Sequence, residues 1–226
     1  MKTTYTLYLA FIVLLLSSCS RNRFLTSDYA KYAQAHERIA ILPYQITMMG
    51  RVAQKMEPNE REQLILLESE LFQQDLYGEV LRRSGLDSDD VNISVQELGY
   101  TNRLLREAGI DAINIGEYSA VELGEILKVD AVVRTRLIKD MFLTRGESLA
   151  AEIATDLLSE SIPLPLGTRR LSRSSEIDIH SKIVDVDSGS AVWSIHTDCD
   201  VQWNADTEDA VQSINNRISR NFPYRD

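Results

Sequence analysis

The chain has 226 residues, of which 44% are hydrophobic, an ordinary proportion for a globular protein. Its 24 basic and 34 acidic side chains give a formal net charge of −10, which argues against nucleic-acid binding and against broad electrostatic adhesion to anionic lipid. With only two cysteines, the sequence also excludes a fold held together by several disulfides.

The N-terminus has the pattern of an export signal. The apolar run from Leu7 to Leu16 is about half as long as the roughly 20 residues that a transmembrane helix needs. Lys2 supplies a short positive segment before it, as in secretory signal peptides. The tetrapeptide LSSC that ends at Cys19 resembles a lipobox, in which the chain is cut before a cysteine that carries lipid. We therefore predict a lipoprotein signal peptide at 1–18.

Cys19 is then the acylated residue, and its acyl chains make the membrane a partner. One acyl chain holds a protein to a bilayer only marginally, whereas two or three hold it stably. Residues 19–26 form a short lipidated tether, so the periplasmic domain at 27–226 lies close to the bilayer. Cys199 has no disulfide partner in the chain once Cys19 is lipidated. Two alternatives stay open: an ordinary signal peptide with a chance cysteine, or a buried helix.

Periodicity along the domain predicts alternating helices and strands. Apolar spacings of three and four indicate helices, and continuous or alternating apolar runs indicate strands. The predicted helices are Asp28–His36 with Ser27 as N-cap, Asn59–Arg83, Glu97–Ala108 closed by Gly109, and a helix to Lys128 that opens on a Ser119–Glu122 capping box. The predicted strands are Arg38–Ile46, with Pro43 marking its end or an edge, Val91–Val95 and Asp130–Ile138.

Residues 141–174 have the character of an insertion. Leu149, Ile153 and Leu157 share one face of a short amphipathic helix, and a basic segment broken by proline and glycine follows it. An exposed amphipathic helix beside a basic loop is a candidate interaction surface on an acidic protein. The equally open alternative is a flap that folds back onto the protein's own core.

A β-hairpin follows the insertion. The connection Asp187-Ser188-Gly189 suits a tight turn with glycine in the left-handed conformation. This turn places Ile183 opposite Trp193 and collects the odd-numbered side chains, Cys199 among them, on a buried face. A final helix, Thr207–Arg220, completes a single domain of the α/β (α+β) class: a mixed β-sheet flanked by helices, with a helical and loop insertion before the C-terminal hairpin.

The same register brings two histidines together on the opposite face of the hairpin. His180 lies directly across from His196, and Asp198 is near them. Two imidazoles and a carboxylate can bind a divalent transition metal, although a solvated sheet face has the same composition. We favour the solvated face, so no metal or other cofactor is expected.

No catalytic motif is present in the sequence. It contains no Gly-x-Ser-x-Gly, no His-Glu-x-x-His and no phosphate-binding glycine loop. Cys199 is predicted on the core face, where a thiol is usually inert. We therefore predict that the protein is not an enzyme.

Several stretches occur in an order that resembles a known group of proteins. They are RIAILPYQI after a lipidated cysteine, LLREAGI, LGEILKVDAVVRTRLI, IVDVDSGSAVWSIHTDCD and a terminal helix that ends in NFPY. This order resembles bacterial outer-membrane lipoproteins such as the curli secretion lipoprotein and the penicillin-binding-protein activator lipoproteins, and the N-terminal domain of the Tol-system propeller protein. Over residues 38–224 the resemblance implies a mixed sheet flanked by helices.

The resemblance also implies a location and a role. It implies residence at the periplasmic face of the outer membrane, and a non-catalytic binding or assembly role in envelope biogenesis or export with a protein partner of unknown identity. A homo-oligomer remains open. The alternative function is a subunit of an outer-membrane secretion channel. The helical spacing at 148–158 and the prolines at 163 and 165 argue against barrel strands in that segment.

Overall fold

The computed structural model describes residues 23–84, 93–141, 173–202 and 207–224. In these ranges the strands are β1 (Arg23–Leu25), β2 (Arg38–Ile41), β3 (Gln45–Met49), β4 (Ser94–Val95), β5 (Ala131–Met141), β6 (Arg173–Asp185) and β7 (Ala191–Gln202). The helices are α1 (Tyr29–Ala35), α2 (Gly50–Lys55), α3 (Pro58–Ser84), α4 (Leu98–Glu107), α5 (Ala120–Leu127) and α6 (Thr207–Arg220), with a short 3₁₀ turn at Ile115–Glu117. The predicted mixed α/β class is confirmed.

All seven strands belong to one mixed sheet. Its order is β1-β7-β6-β5-β2-β4, and β3 also pairs with β5, further along the edge that β2 occupies. The pairs β2–β4, β2–β5 and β3–β5 are parallel, whereas β5–β6, β6–β7 and β1–β7 are antiparallel. The long strand β5 therefore joins a parallel half of the sheet to an antiparallel half.

Pro43 divides the stretch that the sequence predicted as one strand. Proline has no N–H to donate to a ladder, so β2 ends at Ile41 and β3 resumes at Gln45. Side chains of α3 satisfy the backbone groups at this break. Gln73 Nε2 donates to the Ile41 carbonyl at 2.8 Å, and Ser69 Oγ donates to the Tyr44 carbonyl at 2.7 Å. The break is thus a buried, hydrogen-bonded junction that aligns β3 with the far end of β5.

Helices pack on both faces of the sheet and form two apolar layers. The layer on one face contains the odd-numbered side chains of β6 and β7 with α3, α6 and the C-terminal segment. The layer on the other face lies under α4 and α5 and reaches Val132 on β5 and Val184 on β6. Gly124 brings α5 so close to the hairpin that a β-carbon there would overlap the Val186 side chain. On β5 and β6 this second apolar layer includes Val132 and Val184, near one end of the strands. It therefore covers one end of that face of the sheet.

The predicted hairpin register is confirmed. Ile183 pairs with Trp193, Ser181 with Ile195 and Ile177 with Cys199. Gly189 adopts φ +66°, the left-handed conformation that the turn requires. A register shift follows Ile183, after which Val184 pairs with Ala191. The odd-numbered residues from Ile177 to Ile183, with Trp193 and Ile195, are buried as predicted, whereas the Cys199 side chain lies outside the described part of the structure.

The sequence predicted the N-terminal cap of one helix correctly and that of another incorrectly. The capping box is confirmed: the Ser119 hydroxyl accepts from the Glu122 N–H at 3.1 Å, and the Glu122 carboxylate accepts from the Ser119 N–H at 2.7 Å. The choice of Ser27 as N-cap of α1 is wrong. Asp28 occupies that position and makes no side-chain cap, so this helix is defined by packing rather than by a cap.

The structure describes part of the predicted tether. Arg23–Leu25, within that tether, forms an edge strand on β7. The short helix α2 was not predicted from the sequence. The residues 142–172, which include Leu149, Ile153 and Leu157, lie outside the described ranges, as does Cys19. Among the described helices, none combines the length and apolarity needed to cross a bilayer.

Candidate functional site

One face of the antiparallel half-sheet is polar and exposed beyond the edge of α5. We call it the open face. On the opposite face the same strands carry buried and mostly apolar side chains, so the two sides of the ladder differ in polarity and exposure. The open face comprises the following side chains of β5, β6 and β7: Arg134, Arg136, Asp178, His180, Lys182, Ser194 and His196.

A cleft of about 310 Å³ lies where the open face meets the second apolar layer. The 3₁₀ turn contributes Ile115 and Gly116 to its wall, and the strand break contributes Leu42 and Pro43. Its polar lining is Gln45, Arg134, Thr135, Arg136, His180 and Lys182. None of the described residues that line this cleft is acidic.

Strand register sets the arrangement of these groups. Gln45 on β3 pairs with Arg136 on β5, which pairs with His180 on β6, and His180 pairs with His196 on β7. One position along, Arg134 pairs with Lys182. Opposite residues in a ladder have β-carbons about 5 Å apart, so Arg134, Arg136 and Lys182 form a compact group of positive charges.

Arg134 is held in place by the turn above it. Its Nη1 donates to the Tyr118 carbonyl at 2.9 Å and its Nη2 to the Ile115 carbonyl at 3.3 Å. Burial lowers the pKa of this guanidinium below its ordinary value, but an arginine remains charged at neutral pH. It is therefore a fixed cation at the floor of the cleft.

The pKa values of two other basic side chains in the cleft, Lys182 and His180, are lowered by burial and by neighbouring charges. Burial lowers the pKa of Lys182, and the charges of Arg134 and Arg136 lower it further. Burial also lowers the pKa of His180, with a further decrease from His196, an opposing effect of Asp178, and smaller decreases from Lys182 and Arg136. In the described part of the chain neither Arg136 nor Lys182 has a carboxylate within ion-pair distance. Among the described residues, these two cations of the cleft are therefore not neutralised by an ion pair.

The two histidines that the sequence predicted to lie opposite each other come together. The ring centroids of His180 and His196 are 5.4 Å apart, and His196 Nε2 lies 2.9 Å from Asp178 Oδ2. Asp198 pairs with Asp178 in the ladder, although its side chain is not described. Among the described side chains, no group of three or more His, Cys, Asp or Glu residues is placed to hold a metal.

A second histidine–carboxylate pair is buried in the interior. His36 Nε2 lies 2.8 Å from Asp185 Oδ1, and His36 Nδ1 lies 2.5 Å from the Tyr224 hydroxyl. The relative exposures of His36, Asp185 and Tyr224 are 3%, 5% and 7%. This network joins the end of α1, the hairpin turn and the C-terminal segment, and its position indicates a structural role.

Sequence reasoning missed the basic cleft, although a signal for it was present. In VVRTRLI and DIHSKIV, bases alternate with apolar or small residues, which places Arg134 with Arg136, and His180 with Lys182, on one face each. Only the antiparallel pairing of β5 with β6 shows that the two faces coincide. Gln45 and the turn at Gly116 could not be placed before the fold was known.

Comparison with known proteins gives only distant likenesses. No protein-family model matches the sequence, and no curated protein matches it. The lipoprotein GNA1162 from Neisseria meningitidis is 10% identical over 83% of this chain and 99% of its own, with a TM-score of 0.42. The PelC dodecamer from Paraburkholderia phytofirmans is 8% identical over 81% and 87%, with a TM-score of 0.38. The LpoB C-terminal domain from Salmonella enterica is 9% identical over 77% and 92%, with a TM-score of 0.33.

Proposed function

We propose that the protein is a lipid-anchored, non-catalytic binding module of the bacterial envelope that contacts its partner through the open face. One observation carries this proposal. Among the described residues, helices pack on both faces of the sheet, whereas Arg136, His180 and Lys182 on the β5–β6–β7 face are exposed on a rigid ladder and the other side chains of the open face are half-buried. Exposed polar residues on a rigid scaffold are typical of a binding surface.

The histidine–carboxylate pairs support a binding role rather than catalysis. Hydrolytic nucleophiles need a serine, threonine or cysteine within hydrogen-bond reach of the base. Within the described ranges, the imidazoles of His36 and His196 hydrogen-bond to Tyr224 and to carboxylates, and to no such nucleophile. His36, Asp185 and Tyr224 are also buried, and none of them lines the cleft beside the open face.

The proposed anchor would lie near the open face because the chain between them is short. Three residues lie between Cys19 and Arg23, and the four steps from one to the other span at most about 14 Å of extended chain. Strand β1 then pairs with β7, and Phe24 lies opposite Ser194 of the open face with 51% of its surface exposed. Acylation at Cys19 would hold this end of the sheet close to the bilayer, at the periplasmic side of the outer membrane in our proposal.

The anchor is tested by metabolic labelling with an alkyne analogue of palmitate. We expect the wild-type protein to be labelled and to fractionate with outer membranes, because its acyl chains partition into the bilayer. Cys19→Ala should lose the label and become extractable without detergent. Cys199→Ser is the matched control, since it also removes one thiol and should keep the label. Unlabelled wild-type protein would overturn the anchor.

The binding role is tested by photo-crosslinking in intact cells. A benzoylphenylalanine at Ser194, on the open face, should give a discrete adduct with an envelope protein. The same group at Tyr100, which is exposed on the outer surface of α4, should give none. Deletion of residues 148–158 tests whether Leu149, Ile153 and Leu157 contribute to partner binding. Unchanged adducts would exclude these residues from the binding surface. Detergent-stable rings with ion conductance would favour the secretion-channel alternative instead.

A further inference from the structure

The basic cleft places like charges in adjacent positions of the ladder. Arg134 faces Lys182, and Arg136 faces His180, which lies next to Lys182 on the same strand face. Like charges directly opposite each other destabilise a strand pair. The chain as a whole carries a net charge of −10, yet none of the described residues that line this cleft has a carboxylate. An anion bound between the cations would offset their repulsion.

The donors fit a phosphate group better than a single carboxylate. Arginine presents a planar fork that binds phosphate oxygens in pairs, and lysine adds a point charge. Arg134 is already oriented by the Tyr118 and Ile115 carbonyls, so part of the site is preorganised. Gln45, aligned with Arg136 in the ladder, supplies a neutral amide donor at the same level. The three positive side chains, Arg134, Arg136 and Lys182, together suit a ligand group that carries two negative charges.

The volume of the cleft limits the size of the ligand. About 310 Å³ is at the lower end of small-molecule sites, which begin near ~300 Å³. This space holds a phosphate group with a small part of its ester, and Leu42, Pro43 and Ile115 provide an apolar wall for that part. A long or branched ligand would extend out over the open face.

We propose that the cleft formed by Arg134, Arg136, His180 and Lys182 binds the phosphate group of a phosphorylated ligand, either a soluble phosphate ester or a lipid head-group. This inference rests on the proposed function in one respect, namely that the open face is the binding surface. It does not depend on acylation of Cys19.

Calorimetric titration of the full-length protein in a non-ionic detergent, with inorganic pyrophosphate as the probe, tests the proposal. We expect one site per chain, with an affinity that falls as salt rises. Arg136→Gln and Lys182→Gln should each weaken binding about tenfold or more, because each removes a charge-assisted donor. Both side chains are exposed, so the variants should fold, and circular dichroism checks this.

Arg103→Gln is the matched control. It also removes one positive charge, but Arg103 lies on α4, where it pairs with Glu107 and stacks on Tyr100. Its affinity for pyrophosphate should stay within about twofold of wild type, since exposed distant charges are largely screened. A loss equal to that of Arg136→Gln would show a non-specific charge effect and overturn the proposal.

Two further ligands distinguish the sources of phosphate. Glycerol 3-phosphate and dihexanoyl phosphatidic acid are titrated separately, and tighter binding of one identifies a soluble ester or a lipid head-group. Absence of pyrophosphate binding, or equal affinity in Arg136→Gln, overturns the inference. Crosslinks from position 194 would survive that result, so the proposed function and this inference fail separately.

Discussion

Asp185→Asn is expected to lower the free energy of unfolding by about 3 kcal/mol at neutral pH, because it breaks a buried, fully hydrogen-bonded carboxylate network. The carboxylate accepts from His36 Nε2 at 2.8 Å and from the Ser188 N–H at 2.7 Å, and the Ser188 hydroxyl also donates to it. An asparagine keeps the shape of the side chain, but its NH₂ group would face either His36 Nε2 or the Ser188 donors. An NH₂ group cannot accept a hydrogen bond, so that contact is lost. Urea unfolding followed by circular dichroism measures the loss.

The direction of the hydrogen bonds explains why the loss extends beyond one pair. In the neutral imidazole, the Nε2 that faces the Asp185 carboxylate carries the proton, and Nδ1 accepts from the Tyr224 hydroxyl. Burial raises the pKa of Tyr224, with further increases from Tyr29, Asp185 and Asp130, so its phenol keeps the proton that it donates. Removing the carboxylate therefore removes the group that orients the whole chain of bonds.

The pH dependence of this loss has a definite sign. Burial alone would raise the pKa of Asp185, but hydrogen bonds from Ser188 and His36 together lower it below its ordinary value. A lowered carboxyl pKa contributes stability that is present above the unfolded-state pKa, near 3.9, and lost as pH falls through the folded-state value. The difference between wild type and Asp185→Asn that comes from this carboxylate should thus be present above about pH 4 and shrink as the pH falls further.

Asp187→Asn is the matched control for charge. Asp187 lies in the same turn, is exposed, and makes none of these buried bonds. Its effect should stay within about 0.5 kcal/mol, as for most surface substitutions. If the two variants unfold at the same urea concentration, the network is not a stabilising unit.

The hairpin shows which parts of the fold were accessible from sequence. Two strands of strict alternation joined by a tight turn with glycine determine a register without any other information. That register correctly placed His180 beside His196 and Trp193 in the core. The helices α3, α4, α5 and α6 followed from apolar spacing and, for α5, from its capping box.

The features that the sequence did not predict depend on distant pairing. Arg23–Leu25 is too short and exposed to show a strand pattern, and it forms a strand because β7 offers an edge. Pro43 predicted an end or an edge, but not that Gln73 and Ser69 would satisfy the broken ladder from a helix. His36 and Asp185 are 149 residues apart, so no local pattern connects them.

The site was predicted only in part for the same reason. Local alternation separates the polar from the apolar side of each strand, but the basic cleft needs β5 to pair with β6, and a wall from the turn at Gly116. Cys19, Leu149, Ile153 and Leu157 fall outside the described residues and stay predictions. Their tests are the labelling and crosslinking experiments.

The second large effect is expected at Trp193, the largest fully buried side chain of the described core. It is 1% exposed, lies between Leu25 on β1 and Ile183 on β6, and packs edge-on against Phe222, with ring centroids 5.8 Å apart. Trp193→Ala should lower the free energy of unfolding by about 3–5 kcal/mol, since it removes the contacts and leaves a cavity. We would follow urea unfolding by circular dichroism, because the substitution removes a tryptophan and so changes the fluorescence signal itself.

Trp193→Phe separates the contribution of packing from that of hydrogen bonding. The indole N–H of Trp193 has no hydrogen-bond partner among the described residues, so a phenylalanine loses no bond there. It keeps an aromatic ring against Phe222 and loses only volume, for which we expect about 1–2 kcal/mol. A clearly larger loss of stability for Trp193→Ala than for Trp193→Phe follows if packing holds this layer of the core together. Equal losses for the two variants would instead mean that the indole N–H makes a bond essential to the fold, because a phenyl ring and a methyl group lack it equally.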